Sequence, residues 1–179
     1  MNTVISKIKN NICTLTINRP DQYNALNEDV LIELDKKIQW IKNEKKCLAV
    51  ILTGSGDKAF IAGADIKAMS SMNNKDAQNF SKLGQDLTVI IETLHVPVIA
   101  AVNGVAAGAG ISISLASDIR IASEAARFSE IFVKRSLVPD TGSAYTLSSA
   151  VGRGIAMEMA LTGRVYGAAW ALEKQLVNK

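Results

Sequence analysis

The sequence predicts an α/β fold with largely parallel strand pairing, and three observations carry that prediction. Apolar runs of strand length alternate along the chain with stretches whose apolar residues recur at helical spacing. Two of the runs, "CLAVILTG" and "VPVIAAVNG", are continuously apolar, as strands buried on both faces are. The 179 residues, 48% hydrophobic and 21% charged, suffice for one domain with its own core, taken as 1–179.

"TVISKIK", Asn10-Asn11 and "ICTLTIN" read as a β-hairpin, because the apolar residues alternate and the Asn pair suits the turn. The loop "NRPDQYNALN" follows. Asn27 then caps a helix, with Glu28 and Asp29 in its electropositive first turn. Val30, Leu31, Leu34, Ile38 and Ile41 form its apolar stripe, and Lys36, Lys37, Lys42, Lys45 and Lys46 its solvated side. "CLAVILTG" is a buried strand, and "SGDKAFIAGADIKAM" a glycine-rich loop entering a short helix. "DAQNFSKLGQDLTVIIETLH" is a long helix. "VPVIAAVNG" is a strand with Pro97 at its start, where no ladder donor is needed. "AAGAGISISLASD" reads as a small-residue helix, and "IRIASEAARF" as a strand and turn. "TGSAYTLSSAVG" and "GIAMEMALTG" are helices each stopped by glycine, and "YGAAWALEKQLVNK" is a last helix.

Composition excludes several classes. A net charge of +3 without a basic block interleaved with aromatics argues against nucleic acid. No run is long and polar-free enough to span a membrane, and "MNTVISKIKNN" lacks the features of a signal peptide, so a cytoplasmic protein is expected. Cys13 and Cys47 sit in strand-like apolar runs and read as small buried hydrophobes. One histidine, His95, and no Cys-x-x-Cys leave no metal-ligand cluster, so no metal is expected. His95 lies at a helix-to-strand corner and reads as structural. The glycines of "GVAAGAG" lie at 104, 108 and 110, off the G-x-G-x-x-G spacing, and "TGSGDKAF" lacks G-K-[ST]. No G-x-S-x-G elbow is present.

Two glycine-rich turns remain, "IAGADIKAM" and "NGVAAGAGIS", each feeding a helix. They could be close-packing turns. They could also aim two backbone N–H groups, aided by helix dipoles, at one point to form an oxyanion hole. Asp140, in "LVPDTGSAYT", is similarly open between a helix N-cap and a proton carrier. The roles compete, because a carboxylate bonded to helix N–H groups has a lowered pKa and is a poor base.

"NRPDQYNALN", "FIAGADIKAM", "VPVIAAVNGVAAGAGISISLASDIRIASEAARF", "LVPDTG" and "AVGRGIAMEMALTGR", in this order over nearly the whole chain, resemble the crotonase superfamily of enoyl-CoA hydratases and isomerases. The resemblance implies a spiral of ββα units followed by a C-terminal helical part, before which this chain is truncated. It implies trimers or hexamers, an acyl-CoA thioester substrate, and no cofactor beyond the coenzyme A of that substrate. It places the oxyanion donors on the N–H groups of Ala64 and Ala109, the latter at a common glycine position. It places substrate and CoA contacts at Tyr23, Ala25 and Leu26, along Ala62 to Ile66 including Asp65, and at Val105. The two glutamates with which hydratases hold water correspond to Ser112 and Phe132, which would instead line the acyl pocket; Glu130, two residues before Phe132, is expected to face elsewhere. Several isomerases of the superfamily carry an acid at Asp140, and "GISISLA" with "FVKRSLVPD" is most similar to the 1,2-epoxyphenylacetyl-CoA isomerase group.

The expected function is therefore an acyl-CoA isomerase in which Asp140 is acid and base, its pKa raised by burial near Phe132. The alternatives are an enoyl-CoA hydratase and an inactive acyl-CoA-binding subunit with apolar surface exposed where the chain stops.

Overall fold

The computed structural model describes residues 2–179. The chain opens with the expected hairpin, β1 (Val4–Lys9) and β2 (Ile12–Ile17), paired antiparallel. Asn10 and Asn11 both have positive φ, 50° and 63°, the backbone that a two-residue turn demands and that asparagine tolerates. Helix α1 (Glu28–Asn43) starts where the Asn27 side chain accepts the Val30 N–H and buries its five-residue stripe.

From there strands come in pairs: β3 (Ala49–Gly54) with β4 (Ala59–Ile61), β5 (Val98–Val102) with β6 (Val105–Ala107), and β7 (Ile119–Ala122) with β8 (Arg127–Ser129). The first member of each pair joins one sheet, ordered β1-β2-β3-β5-β7; the second joins another, β4-β6-β8-β9, where β9 is Tyr166–Gly167. Among the described residues only β1–β2 and β8–β9 pair antiparallel. After each pair comes a helical segment: α2 (Ile66–Met69) and α3 (Asn74–Glu92), then α4 (Ala109–Ala116), then α5 (Ser143–Thr162). This is the ββα spiral that the sequence motifs imply.

Sequence reading missed β4, β6 and β8. Residues 105–107, partly assigned to the helix after them, are a strand, and α4 begins only at Ala109. These strands are three residues long, too short for periodicity to declare itself. The expected break between two glycine-stopped helices is a kink inside α5, at Gly152 with φ 76°. The last helix, α6 (Ala168–Glu173), is shorter than expected. The residues after it turn back along β7, where Ala122 N–H donates to the Lys179 carbonyl and Asn178 N–H to that of Arg120.

The core lies between the sheets and the helices. Successive partners Leu15, Leu52 and Ala100 lie in register across the first sheet and face inward, joined by Phe60, Ile61 and Phe128 from the second. All eight residues of α4 are buried, which explains its lack of a polar face. That helix can approach the second sheet so closely because of Gly110: a Cβ there would sit 2.0 Å from the Ile61 carbonyl oxygen. Gly110→Ala must push the first turn of α4 off β4. It is expected to cost about 1–3 kcal/mol, as overpacking generally does, read as a lower urea midpoint.

Candidate active site

The two glycine-rich turns meet at one cleft, lined by Leu26, Ala62, Gly63, Ala64, Gly108 and Ala109 on one side and by Phe132, Arg135, Leu137, Asp140 and Thr141 on the other. Ala64 is placed by an isolated parallel bridge to Leu26. Leu26 N–H donates to the Gly63 carbonyl at 2.8 Å and Asp65 N–H to the Leu26 carbonyl at 2.7 Å. Those bonds engage the residues flanking Ala64 and leave its own N–H without a partner among the described residues. Ala109 is the first residue of α4, so its N–H has no acceptor within the helix. Gly108 ahead of it turns the chain at φ 51°, ψ −121°, a conformation that only glycine takes readily, and its N–H is held by the Ser129 carbonyl of β8 at 2.9 Å. Ala109 itself needs no positive φ, so alanine serves where glycine is common.

Asp140 is the one carboxylate among the residues lining this cleft. It does not cap α5. The N-cap is Gly142, at φ 82°, and no side chain bonds the helix start. The Asp140 carboxylate instead accepts from Thr141 Oγ1 at 2.6 Å. Burial raises its pKa, against the lowering effects of the Thr141 hydrogen bond and of its own backbone N–H. Thr141 has φ 52°, a strained backbone for a β-branched residue, and is buried at the cleft wall.

The other expected residues divide. Phe132, Ala62, Ile66 and Leu26 line the cleft. Ser112 does not: it is fully buried, and its Oγ lies 3.4 Å from the Gly108 carbonyl and 3.5 Å from that of Asp140, bracing the two walls from behind. Asp65 caps α2 and pairs with Arg19 at 2.8 Å. Burial opposes its ionisation, but hydrogen bonds from Arg19 and from the α2 backbone together lower its pKa. Tyr23, Ala25 and Val105 are outside the cleft lining; Tyr23 is exposed, with the Lys58 ammonium 5.8 Å from its ring. His95 is exposed between α3 and β5, and both cysteines are buried free thiols. Among the described residues no cluster of three or more His, Cys, Asp or Glu could hold a metal ion, and no helix is long and apolar enough to cross a membrane.

Three contributors escaped sequence reading. Asn24 is buried and its amide bonds the carbonyls of Ser55 and Ala59, fixing the loop beside Ala64. Arg135 and Thr141 line the cleft. Their sequence signal is weak, since an isolated Asn, Arg or Thr in a loop has many uses.

Comparison with known proteins establishes the family and the fold. The model of the enoyl-CoA hydratase/isomerase family matches residues 7–179. This chain belongs to the enoyl-CoA hydratase/isomerase family. It is 45% identical over 179 residues to a short-chain-enoyl-CoA hydratase of Clostridium acetobutylicum, covering all of this chain and 69% of that protein. It is 38% identical to a crotonyl-CoA hydratase of Syntrophomonas wolfei, covering 98% of this chain and 68% of the relative. The crystal structure of an enoyl-CoA hydratase from Bacillus anthracis superposes with a TM-score of 0.96 at 35% identity, over 98% of this chain and 69% of that one. The chain thus has the crotonase fold and is an enzyme of the hydratase/isomerase type.

Glu130, as expected, faces away from the cleft. It is fully buried, and its pKa is pushed up to about 7, first by burial and then by the charge of Asp140, against a hydrogen bond from Ser143. Below pH 4.5, the ordinary value, folded and unfolded chains both hold the proton. As pH rises towards 7 the unfolded chain ionises first, so the stabilisation is lost. The loss is about 3 kcal/mol. Glu130→Gln should remove this slope, so variant stability relative to wild type should rise between pH 4.5 and pH 8. Urea unfolding at several pH values checks it, and a pH-independent difference would contradict the buried, proton-holding state.

Proposed function

We propose that this protein is an acyl-CoA isomerase that moves a proton, and with it a double bond, along the acyl chain of a CoA thioester. The observation that carries the reading is that, among the described residues, Asp140 shares the cleft with the unpartnered N–H groups of Ala64 and Ala109 and is its only carboxylate. Ser112 and Phe132, which the family resemblance sets at the hydratase glutamate positions, cannot ionise at working pH.

The chemistry follows from the side chains. The thioester oxygen sits between the two N–H donors. Asp140 removes a proton from the acyl chain, and the electron pair of that C–H bond flows into the conjugated system and onto the thioester oxygen. The donors, already oriented, stabilise this dienolate. Asp140 then returns the proton to a different carbon, restoring the carbonyl and leaving the double bond displaced. Its raised proton affinity suits both steps. Phe132, Leu137 and Met69 supply apolar walls for the acyl chain and exclude water. The CoA portion leaves past Ala62 and Leu26 towards Tyr23. Assembly as a trimer or hexamer, in the cytoplasm, is part of this proposal. Met157, Leu161, Val165 and Leu172 are exposed apolar side chains that support it.

A second reading, enoyl-CoA hydration with water activated by Asp140, is favoured by the hydratase names of the relatives at 45% and 38% identity. Isotopically labelled solvent water separates the two: isomerisation leaves the oxygen label out of the product, and hydration incorporates it.

Incubation with a 3-enoyl-CoA should yield the conjugated 2-enoyl-CoA, followed by its ultraviolet absorbance. Asp140→Asn should lower kcat by roughly 10²–10⁴-fold with little change in KM. Ala109→Pro deletes one donor at a helix position that tolerates proline, and should lower kcat by about 10²–10³-fold with α4 intact by circular dichroism. Normal turnover by Asp140→Asn would sink the role assigned to the aspartate.

A further inference from the structure

The cleft chemistry leaves one buried ionisable side chain unused. Glu130 directly precedes the 3-10 turn Ile131–Arg135, whose Phe132 and Arg135 line the cleft. Glu130 itself borders a different cavity, of about 480 Å³, walled by Pro139, Ser143, Leu147, Ala156 and Leu161. Its Oε2 accepts from Ser143 Oγ at 3.4 Å. Its Oε1 is the one buried side-chain oxygen without a partner among the described residues. Ser143 is the first residue of α5, and its N–H donates to the Asp140 carbonyl at 3.0 Å. A continuous chain of contacts thus runs from the second cavity through Ser143 to the turn that presents Asp140.

We infer that Glu130 is a positioning residue for Asp140: a second carboxyl, sealed behind the cleft wall, that acts on the cleft carboxyl through Ser143 and through its own charge. No cation offsets it. Arg153 of α5 borders the same cavity, and Lys134 and Arg135 lie on the following turn, yet among the described residues none forms an ion pair with Glu130. The charged neighbour that Glu130 does feel is Asp140, and the two repel.

The order of ionisation decides what each group experiences. The charge on Asp140 is among the causes that raise Glu130, so Glu130 titrates against a carboxylate that is already ionised. Glu130 then keeps its proton up to about pH 7, because burial and the Asp140 charge both oppose its loss. Once Glu130 ionises, a second negative charge raises the proton affinity of Asp140. The Ser143 hydrogen bond becomes charge-assisted at the same moment and grips the Asp140 turn more tightly. Across neutral pH the pair therefore turns Asp140 into a stronger and better-held base.

The catalytic consequence rests on the proposed role of Asp140, but the coupling is testable without turnover. The full chain, labelled with ¹³C at Asp and Glu side-chain carboxyls, is titrated by NMR. Glu130 should titrate near 7, and Asp140 should show a main step at lower pH with a smaller inflection at the Glu130 midpoint. Asp140→Asn should lower the Glu130 midpoint by about half a unit or more, because the opposing charge is gone. Glu130→Gln should erase the Asp140 inflection and leave its main step in place. An unmoved Glu130 midpoint in Asp140→Asn, or a single-step Asp140 in the wild type, overturns the inference. With a 3-enoyl-CoA, Glu130→Gln should lose the rise in kcat across neutral pH with KM unchanged. Restoration of that rise by Glu130→Asp supports the charge-based role, and an unaltered pH profile in Glu130→Gln counts against it. A wild type without turnover overturns the isomerase reading alone, and the titration still decides the coupling.

Discussion

The site depends on one backbone contact, the approach of the first turn of α4 to β4 at Gly110. A side chain there has no room against the Ile61 carbonyl. With glycine, the helix seats directly on the strand, and its N-terminal N–H at Ala109 reaches the cleft that Ala64 shares just beyond that strand. Two backbone N–H groups from distant parts of the chain thus border one cleft. In the proposed isomerase they act as one donor pair whose orientation is set when the chain folds, so that no reorganisation is required as charge develops on a bound oxygen.

The opposite wall follows a different logic. The loop before α5 is strained, with left-handed backbone at Ser136, Thr141 and Gly142. That strain keeps Asp140 away from the helix start. Gly142 occupies the cap position without any side-chain bond, so the carboxylate is not consumed in capping the helix. Ser112 reaches the Asp140 carbonyl from α4, and Ser143 holds the same carbonyl from α5. Polar contacts to the backbone of Asp140 therefore fix where its side chain can be. Burial does the rest by making the charged form less favourable.

Most of the first sheet was legible in the sequence. The hairpin, α1, β3, α3 and β5 each carry a strong local signal: an Asn-Asn turn, a capped apolar stripe, or a continuous apolar run. The second sheet was not, because β4, β6 and β8 are stabilised by their neighbours rather than by their own pattern. The candidate site was legible only as a resemblance. The motifs named Ala64, Ala109 and Asp140, but the CoA-side residues Tyr23, Ala25 and Val105 fall outside the cleft lining, and Ser112 is a brace rather than a wall.

The sequence by itself determined the alternation of strands and helices, the family, and the absence of a carboxylate at Ser112 and Phe132. These are matters of residue type and order, which need no coordinates. The tertiary structure alone decided where the Asp140 carboxylate points, and that Glu130 lies buried behind it. Aspartate before a helix has the same local sequence whether it caps or faces a cleft. The choice is made by the left-handed turn at Thr141 and Gly142 and by contacts from α4, 28 residues away, which no local pattern records.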